Sequence, residues 1–120
     1  MASVNIYADF SVEDSSDSST FGTLMVNGRV RFHTIRATAN LTLTDEHHNV
    51  FCDTDGGAFT ITLPEGNNGT EYRIVNTGTS GNQLTISPDG SENLIGVNSS
   101  ITLDDSESII IVYETTEGWY

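Results

Sequence analysis

Phe59-Thr60-Ile61-Thr62-Leu63-Pro64 alternates apolar and hydroxyl side chains and then stops at a proline. Successive side chains of an extended strand point to opposite faces, so Phe59, Ile61 and Leu63 share one face and the threonines the other. Three more segments repeat the pattern: Leu41-Thr42-Leu43-Thr44, Leu84-Thr85-Ile86-Ser87 and Ile101-Thr102-Leu103. Gly, Asn, Asp or Pro stands close to each. Short strands at such spacing predict an all-β domain, a small β-sandwich or barrel-like knob.

Outward from these repeats, strands are expected over residues 40–44, 48–54, 57–63, 71–76, 83–87, 100–103 and 107–114, with Trp119-Tyr120 closing the chain. Turn signals separate them: Asp55-Gly56-Gly57, Pro64 to Gly69, Thr77 to Gly81, and Pro88-Asp89-Gly90. Tyr72 and Ile74 share a face, as do Leu84 and Ile86. Ile109-Ile110-Ile111-Val112-Tyr113 is apolar at every position, as in a strand covered on both sides. In so small a domain the second cover is expected to be another subunit. Sustained 3.6-residue apolar spacing is missing, so no helix is expected.

The N-terminal part reads differently. Val4 to Phe10 alternates as a strand does, and Ser11 to Thr20 is a Ser/Asp-rich linker. Asn27-Gly28 between two alternating runs predicts a hairpin with a type I′ turn. Pairing outward puts Met25 opposite Val30 and Thr23 opposite Phe32, so Met25, Val30 and Phe32 share an apolar face. The second arm is expected to continue through His33 to Arg36. A lone hairpin is marginal in water and must pack on something.

The 120 residues carry 17 acids and four basic residues, for a formal charge of −13. The basic residues are Arg29, Arg31, Arg36 and Arg73, and there is no lysine. Nucleic-acid binding needs cations to displace counterions from phosphate, so no nucleic-acid partner is expected. An anionic membrane surface is disfavoured for the same reason. No apolar run approaches the roughly 20 residues of a membrane span, and the N-terminus lacks the pattern of a secretory signal. The acidity reads either as general solubility or as adaptation to molar salt, where the screening length falls to about 3 Å.

Candidate chemistry is thin. Asp53-Thr54-Asp55-Gly56-Gly57 has the look of a calcium-loop start, but the twelfth position of the loop is Pro64 and not glutamate, so a tight turn is the reading. His47-His48 cannot chelate one ion from an extended backbone; an exposed polar turn is the default, and one ring per chain on a threefold axis is the alternative. Cys52 is alone, which excludes an intramolecular disulfide and points to a small buried apolar residue. Neither a nucleophile elbow nor a phosphate loop is present. No enzymatic activity, cofactor or metal is expected. Asn40-Leu41-Thr42, Asn68-Gly69-Thr70 and Asn98-Ser99-Ser100 match the glycosylation sequon. Such matches arise readily by chance in a chain rich in Thr and Asn.

The features also fall into a familiar order. Leu41-Thr42-Leu43-Thr44-Asp45 leads into Val50-Phe51-Cys52-Asp53-Thr54, then Gly56 to Pro64 and Tyr72-Arg73-Ile74-Val75-Asn76. Leu84 to Gly90, Ile101-Thr102-Leu103 and the terminal Gly118-Trp119-Tyr120 complete the series. The series resembles the C-terminal β modules of tailed-virus head fibres, capsid decoration proteins and tail fibres, over about the last two-thirds of the chain. Gly22 to Gly28 looks like the short stalk that precedes such modules.

The resemblance implies a homotrimeric virion structural protein, a capsid decoration or turret protein made in the host cytoplasm and displayed on the capsid surface. Its implied partners are further copies of itself and the major capsid protein or other virion proteins. The missing lysine fits a halophilic host. The division is then 1–38, an attachment strand, linker and trimerising stalk hairpin, and 39–120, the knob. Candidate capsid-attachment residues are Val4, Ile6, Tyr7 and Phe10. Candidate subunit-interface residues are Met25, Val30, Phe32, Ile109, Ile111 and Tyr113. The alternative is a receptor-binding tip of a tail fibre or spike, with Tyr72, Tyr113, Trp119 and Tyr120 stacking on a host-surface glycan rather than packing in the core.

Overall fold

The structure is a computed structural model and describes residues 26–120. Val4, Ile6, Tyr7, Phe10 and Met25, and with them the proposed first strand, the linker and the first arm of the hairpin, lie outside the described residues. The compact unit that carries the strands runs from Arg31 to Tyr120. It is all-β: among the described residues there is no helix.

Among the described residues nine strands form: β1 (Thr34–Ala37), β2 (Leu41–Thr42), β3 (Asn49–Cys52), β4 (Phe59–Thr62), β5 (Glu71–Asn76), β6 (Leu84–Ser87), β7 (Ile101–Leu103), β8 (Ser108–Glu114) and β9 (Gly118–Trp119). They make two mixed sheets. The first has the order β1-β3-β5-β8-β9 and the second β2-β4-β6-β7. Through β6 the strands alternate between the sheets, and within each sheet they run parallel. Parallel neighbours need a crossover connection, which is usually a helix. Here each crossover is a strand of the opposite sheet, so the chain winds like a coil. β7 and β8 then add antiparallel to β6 and β5. Neither sheet closes on itself, so the arrangement is sandwich-like rather than a barrel.

The Thr/aliphatic repeats are successive rungs of the second sheet. Leu41, Ile61, Ile86 and Ile101 align in one column, and Phe59, Leu84 and Leu103 in another. These face inward, where Ile61, Leu84 and Ile86 are fully buried. The hydroxyl residues align on the outer face, with Thr42, Thr62 and Ser87 in one column and Thr60, Thr85 and Thr102 in the other. From the first sheet, Val50, Cys52, Tyr72, Ile74 and Ile111 pack into the same core.

Cys52 lies in that core, and burial pushes its thiol pKa up to about 12. Only about one thiol in ten thousand is then ionised at pH 8. An aromatic disulfide reagent should therefore not label the native protein at pH 8 and should label it fully in denaturant. Rapid native labelling would place Cys52 outside the core.

A polar clamp ties one end of the two sheets together. The side chains of Thr54 and Asn76 are fully buried. Thr54 Oγ1 lies 2.9 Å from Asn76 Oδ1 and 3.0 Å from the Asn82 carbonyl. Asn76 Oδ1 also accepts from the Gly78 N–H at 3.0 Å, and its Nδ2 donates to the carbonyls of Leu103 (3.1 Å) and Asn82 (3.2 Å). Gly78 has to be glycine because an added Cβ would stand 2.2 Å from Thr54 Oγ1.

Two N-terminal expectations change. Thr34–Ala37 pairs with β3 inside the compact unit, so this strand belongs to the knob and not to a stalk segment ending at residue 38. The second hairpin arm is not a strand over Arg29–Phe32. Asn27 also lacks the positive φ that a type I′ turn requires; only Gly28 has it, at 129°. The pairing of β1 with β3 holds the chain from Thr34 onward, whereas Val30 and Phe32 stay exposed.

Candidate functional site

The two outer faces of the sandwich differ in chemistry. That of the second sheet is the hydroxyl array of Thr42, Thr60, Thr62, Thr85, Ser87 and Thr102, extended by Ser100, whose Oγ bonds Ser87 Oγ. Methyl and hydroxyl groups in such an array are well hydrated and offer no charge.

The outer face of the first sheet is apolar and carries cations. Strand alternation puts Phe51, Val75, Ile110 and Val112 there, with Arg36, Arg73 and Glu71. Phe51 is the register partner of Val75, Arg73 of Ile110, and Glu71 of Val112. Ile110 is 59% exposed and Val112 38% exposed. Arg36 pairs with Asp53, and Arg73 makes no ion pair among the described residues.

This corrects the reading of β8. Ile111 is fully buried, and Ile109 and Tyr113 pack against the core. All three lie on the inner side because β8 registers Ile111 with Tyr72 and Ile109 with Ile74. Ile111 is closed to a partner, and Ile109 and Tyr113 are half-buried against the core; the residues β8 shows outward are Ile110 and Val112. A run that is apolar at every position does not reveal its inner face. Only the register with β5 does.

At the edge where the chain enters the unit lies an open pocket of about 530 Å³ lined by Arg31, Phe32, His33, His47, His48 and Glu71 among others. Phe32, 57% exposed, stacks on His48 with ring centroids 4.3 Å apart. The far nitrogen of His48 lies 3.0 Å from Glu71 Oε2. His33 Nδ1 bonds the Glu46 carbonyl at 2.5 Å. His47 Nδ1 accepts the Thr44 N–H at 3.0 Å, which leaves the proton of the neutral ring on Nε2, where a metal would need a lone pair. His47 and His48 point to different partners, and no group of three or more metal-ligating side chains comes together among the described residues.

Asp53 to Gly57 is a tight turn. Asp53 Oδ1 accepts the Asp55 N–H at 2.9 Å, and the Thr54 carbonyl accepts the Gly57 N–H at 3.0 Å. Asp55 Oδ1 accepts the Thr79 N–H at 2.7 Å, a bond that holds its carboxyl below the usual range. Both carboxylates are thus used by the fold.

The aromatic residues weighed as sugar platforms divide. Tyr72 and Trp119 are fully buried; Tyr72 Oη donates to the Thr44 carbonyl at 2.9 Å. Tyr113 meets Trp119 edge-on at 5.1 Å, and burial, with the Glu92 charge second, raises its phenol pKa. Only Tyr120, 52% exposed, presents a free ring. Phe32 stacks on His48 and His33 on His47, each pair joining an exposed ring to a half-buried one. Nothing in the spacing of the sequence joined them.

Comparison of the chain with known protein-family models and with curated proteins finds no match.

Proposed function

We propose that this chain is a virion structural protein, a capsid decoration or turret protein on the surface of a tailed virus of a halophilic host, assembled as a homotrimer. The observation that carries this reading is the opposite chemistry of the two outer faces. A hydrated hydroxyl array suits a face turned to solvent, and an apolar face with two arginines suits one covered by protein. The ordered series that resembles tailed-virus modules supplies the strands of this unit. Residues 1–20 are the proposed capsid attachment, and the major capsid protein is the proposed partner. No catalysis is assigned.

Counting the protein by mass spectrometry in purified virus particles tests the reading. Hundreds of copies per particle support decoration. A few dozen or fewer support a fibre or spike, and absence from particles overturns the virion assignment.

The receptor-binding reading has one observation in its favour, the open pocket at Phe32 and His48 with Glu71 beside it. An exposed ring next to carboxylates is chemistry that holds sugars. Specific binding on a glycan array, lost in Phe32→Ala, would support it over decoration.

The salt assignment makes its own prediction. With 17 acids against four arginines, surface repulsion reaches about 10 Å at 0.1 M salt and only about 3 Å at 1 M. The melting temperature should rise steadily with KCl into the molar range. A flat or falling curve leaves the acidity as ordinary solubility.

A further inference from the structure

We propose that the outer face of the first sheet is the contact between copies of this chain, with Ile110 and Val112 at its centre. The inference rests on the oligomeric part of the reading above and names the surface that serves it.

β8 lies between β5 and β9, inside its sheet, yet Ile110 and Val112 stand exposed on it. Phe51 and Val75, half-buried, continue the apolar surface across β3 and β5. Removing what remains exposed of these two aliphatic side chains from water favours association, against its entropic cost.

Charge names the occupant. The chain carries −13, so two copies repel over most of their surface. On this face the charges nearly balance: Arg36 is paired with Asp53, and Glu71 and Arg73 stand two residues apart on β5. Glu114, at the end of β8, is turned to the N–H groups of Thr116 and Glu117. Glu71 and Arg73 are separated by roughly 7 Å along the strand and flank the apolar centre through their partners Val112 and Ile110. A second copy brings the same pair, so Arg73 of one subunit can meet Glu71 of the partner subunit. A closed symmetric assembly repeats that contact at every interface. Like charges need not oppose each other, and the face is self-complementary. The second sheet's outer face, with hydroxyls only, has no such pairing to offer.

The test uses the full chain, with mass read by sedimentation and light scattering in molar KCl. Wild type is expected to be oligomeric, and Ile110→Asp to weaken association by at least about tenfold. Thr85→Asp on the opposite face should leave association unchanged. Circular dichroism and Trp119 emission check that each variant folds. If Ile110→Asp does not fold, the exposed charge variants decide. Arg73→Glu and Glu71→Arg should each weaken self-association, and the double variant that carries both, which swaps the pair in every subunit, should recover it.

A monomeric wild type at its highest soluble concentration overturns the proposal and leaves the face to another protein. So does an oligomer that Ile110→Asp and the charge variants leave intact, which would place the contact elsewhere in the chain. Neither result bears on the copy count in virus particles, so the surface and the virion assignment fail separately.

Discussion

Replacing Asn76 with alanine is expected to cost about 3–5 kcal/mol of folding stability. The side chain is fully buried and makes four hydrogen bonds that join the end of β5 to the Thr54 turn, the 77–83 loop and the last carbonyl of β7. Truncation leaves the Gly78 N–H and the Leu103 carbonyl without these partners. Each buried orphan costs about 1–3 kcal/mol, and the cavity adds to it. The Thr54 hydroxyl keeps one partner, because the Asn82 carbonyl lies 3.0 Å away. That retained bond holds the expected loss below the sum of four. Asn82→Ala removes a half-buried side chain whose Nδ2 donates to the Thr54 carbonyl at 2.8 Å, and should cost only about 1 kcal/mol. Urea unfolding followed by circular dichroism measures both, with an unchanged m-value showing that only stability moved. A loss under about 1 kcal/mol for Asn76→Ala would mean that the clamp does not hold the two sheets.

Trp119→Ala is expected to be as severe, at about 3–5 kcal/mol. The indole is fully buried in a strand of only two residues, with the Tyr72 ring at 5.7 Å and the Tyr113 ring at 5.1 Å. Its Nε1 lies 3.4 Å from Glu92 Oε1, and Glu92 also accepts the Gly66 N–H. The backbone around it is equally committed. The Trp119 N–H donates to the Asn93 carbonyl at 2.9 Å, and the Ile95 N–H donates to the Trp119 carbonyl at 2.8 Å. Gly118 makes this approach possible: it sits at φ 89°, and an added Cβ would come within 2.7 Å of the Asn93 carbonyl oxygen. Trp119→Phe keeps a ring in the cavity and loses the N–H donor, so it should cost about half as much. Domains of this size are stable by only about 5–15 kcal/mol, so either alanine variant removes a large share. Near-native stability of Trp119→Ala would show that the C-terminal strand is an appendage rather than part of the core.

How much of this was legible in the chain differs from element to element. Alternation in Leu41–Thr44, Phe59–Leu63 and Leu84–Ser87 was enough to sort inward from outward residues, because the side-chain period of a strand is fixed at two. The turn residues placed the strands from Leu41 to Trp119 with small errors at their ends. The hairpin at Asn27-Gly28 was a strong local signal, and it does not appear over the described residues; β1 takes its partner from a distant strand instead. For β8 the same period could not be phased, since every residue from Ile109 to Tyr113 is apolar. Pairing with β5 set the phase and moved the exposed apolar residues to Ile110 and Val112.

The sequence by itself therefore determined the all-β class, the inward faces of the repeats and the acidic, hydroxyl-rich exterior. Local sterics and the contrast between apolar and polar side chains suffice for those. Tertiary structure alone decided that the repeats stack in parallel as rungs of two sheets, and that Thr54 and Asn76 close into a buried clamp. It alone gathered Phe51, Val75, Ile110 and Val112 beside Arg73 on one face. Each of these joins residues far apart along the chain, and no local period encodes which distant strand becomes a neighbour or in which register.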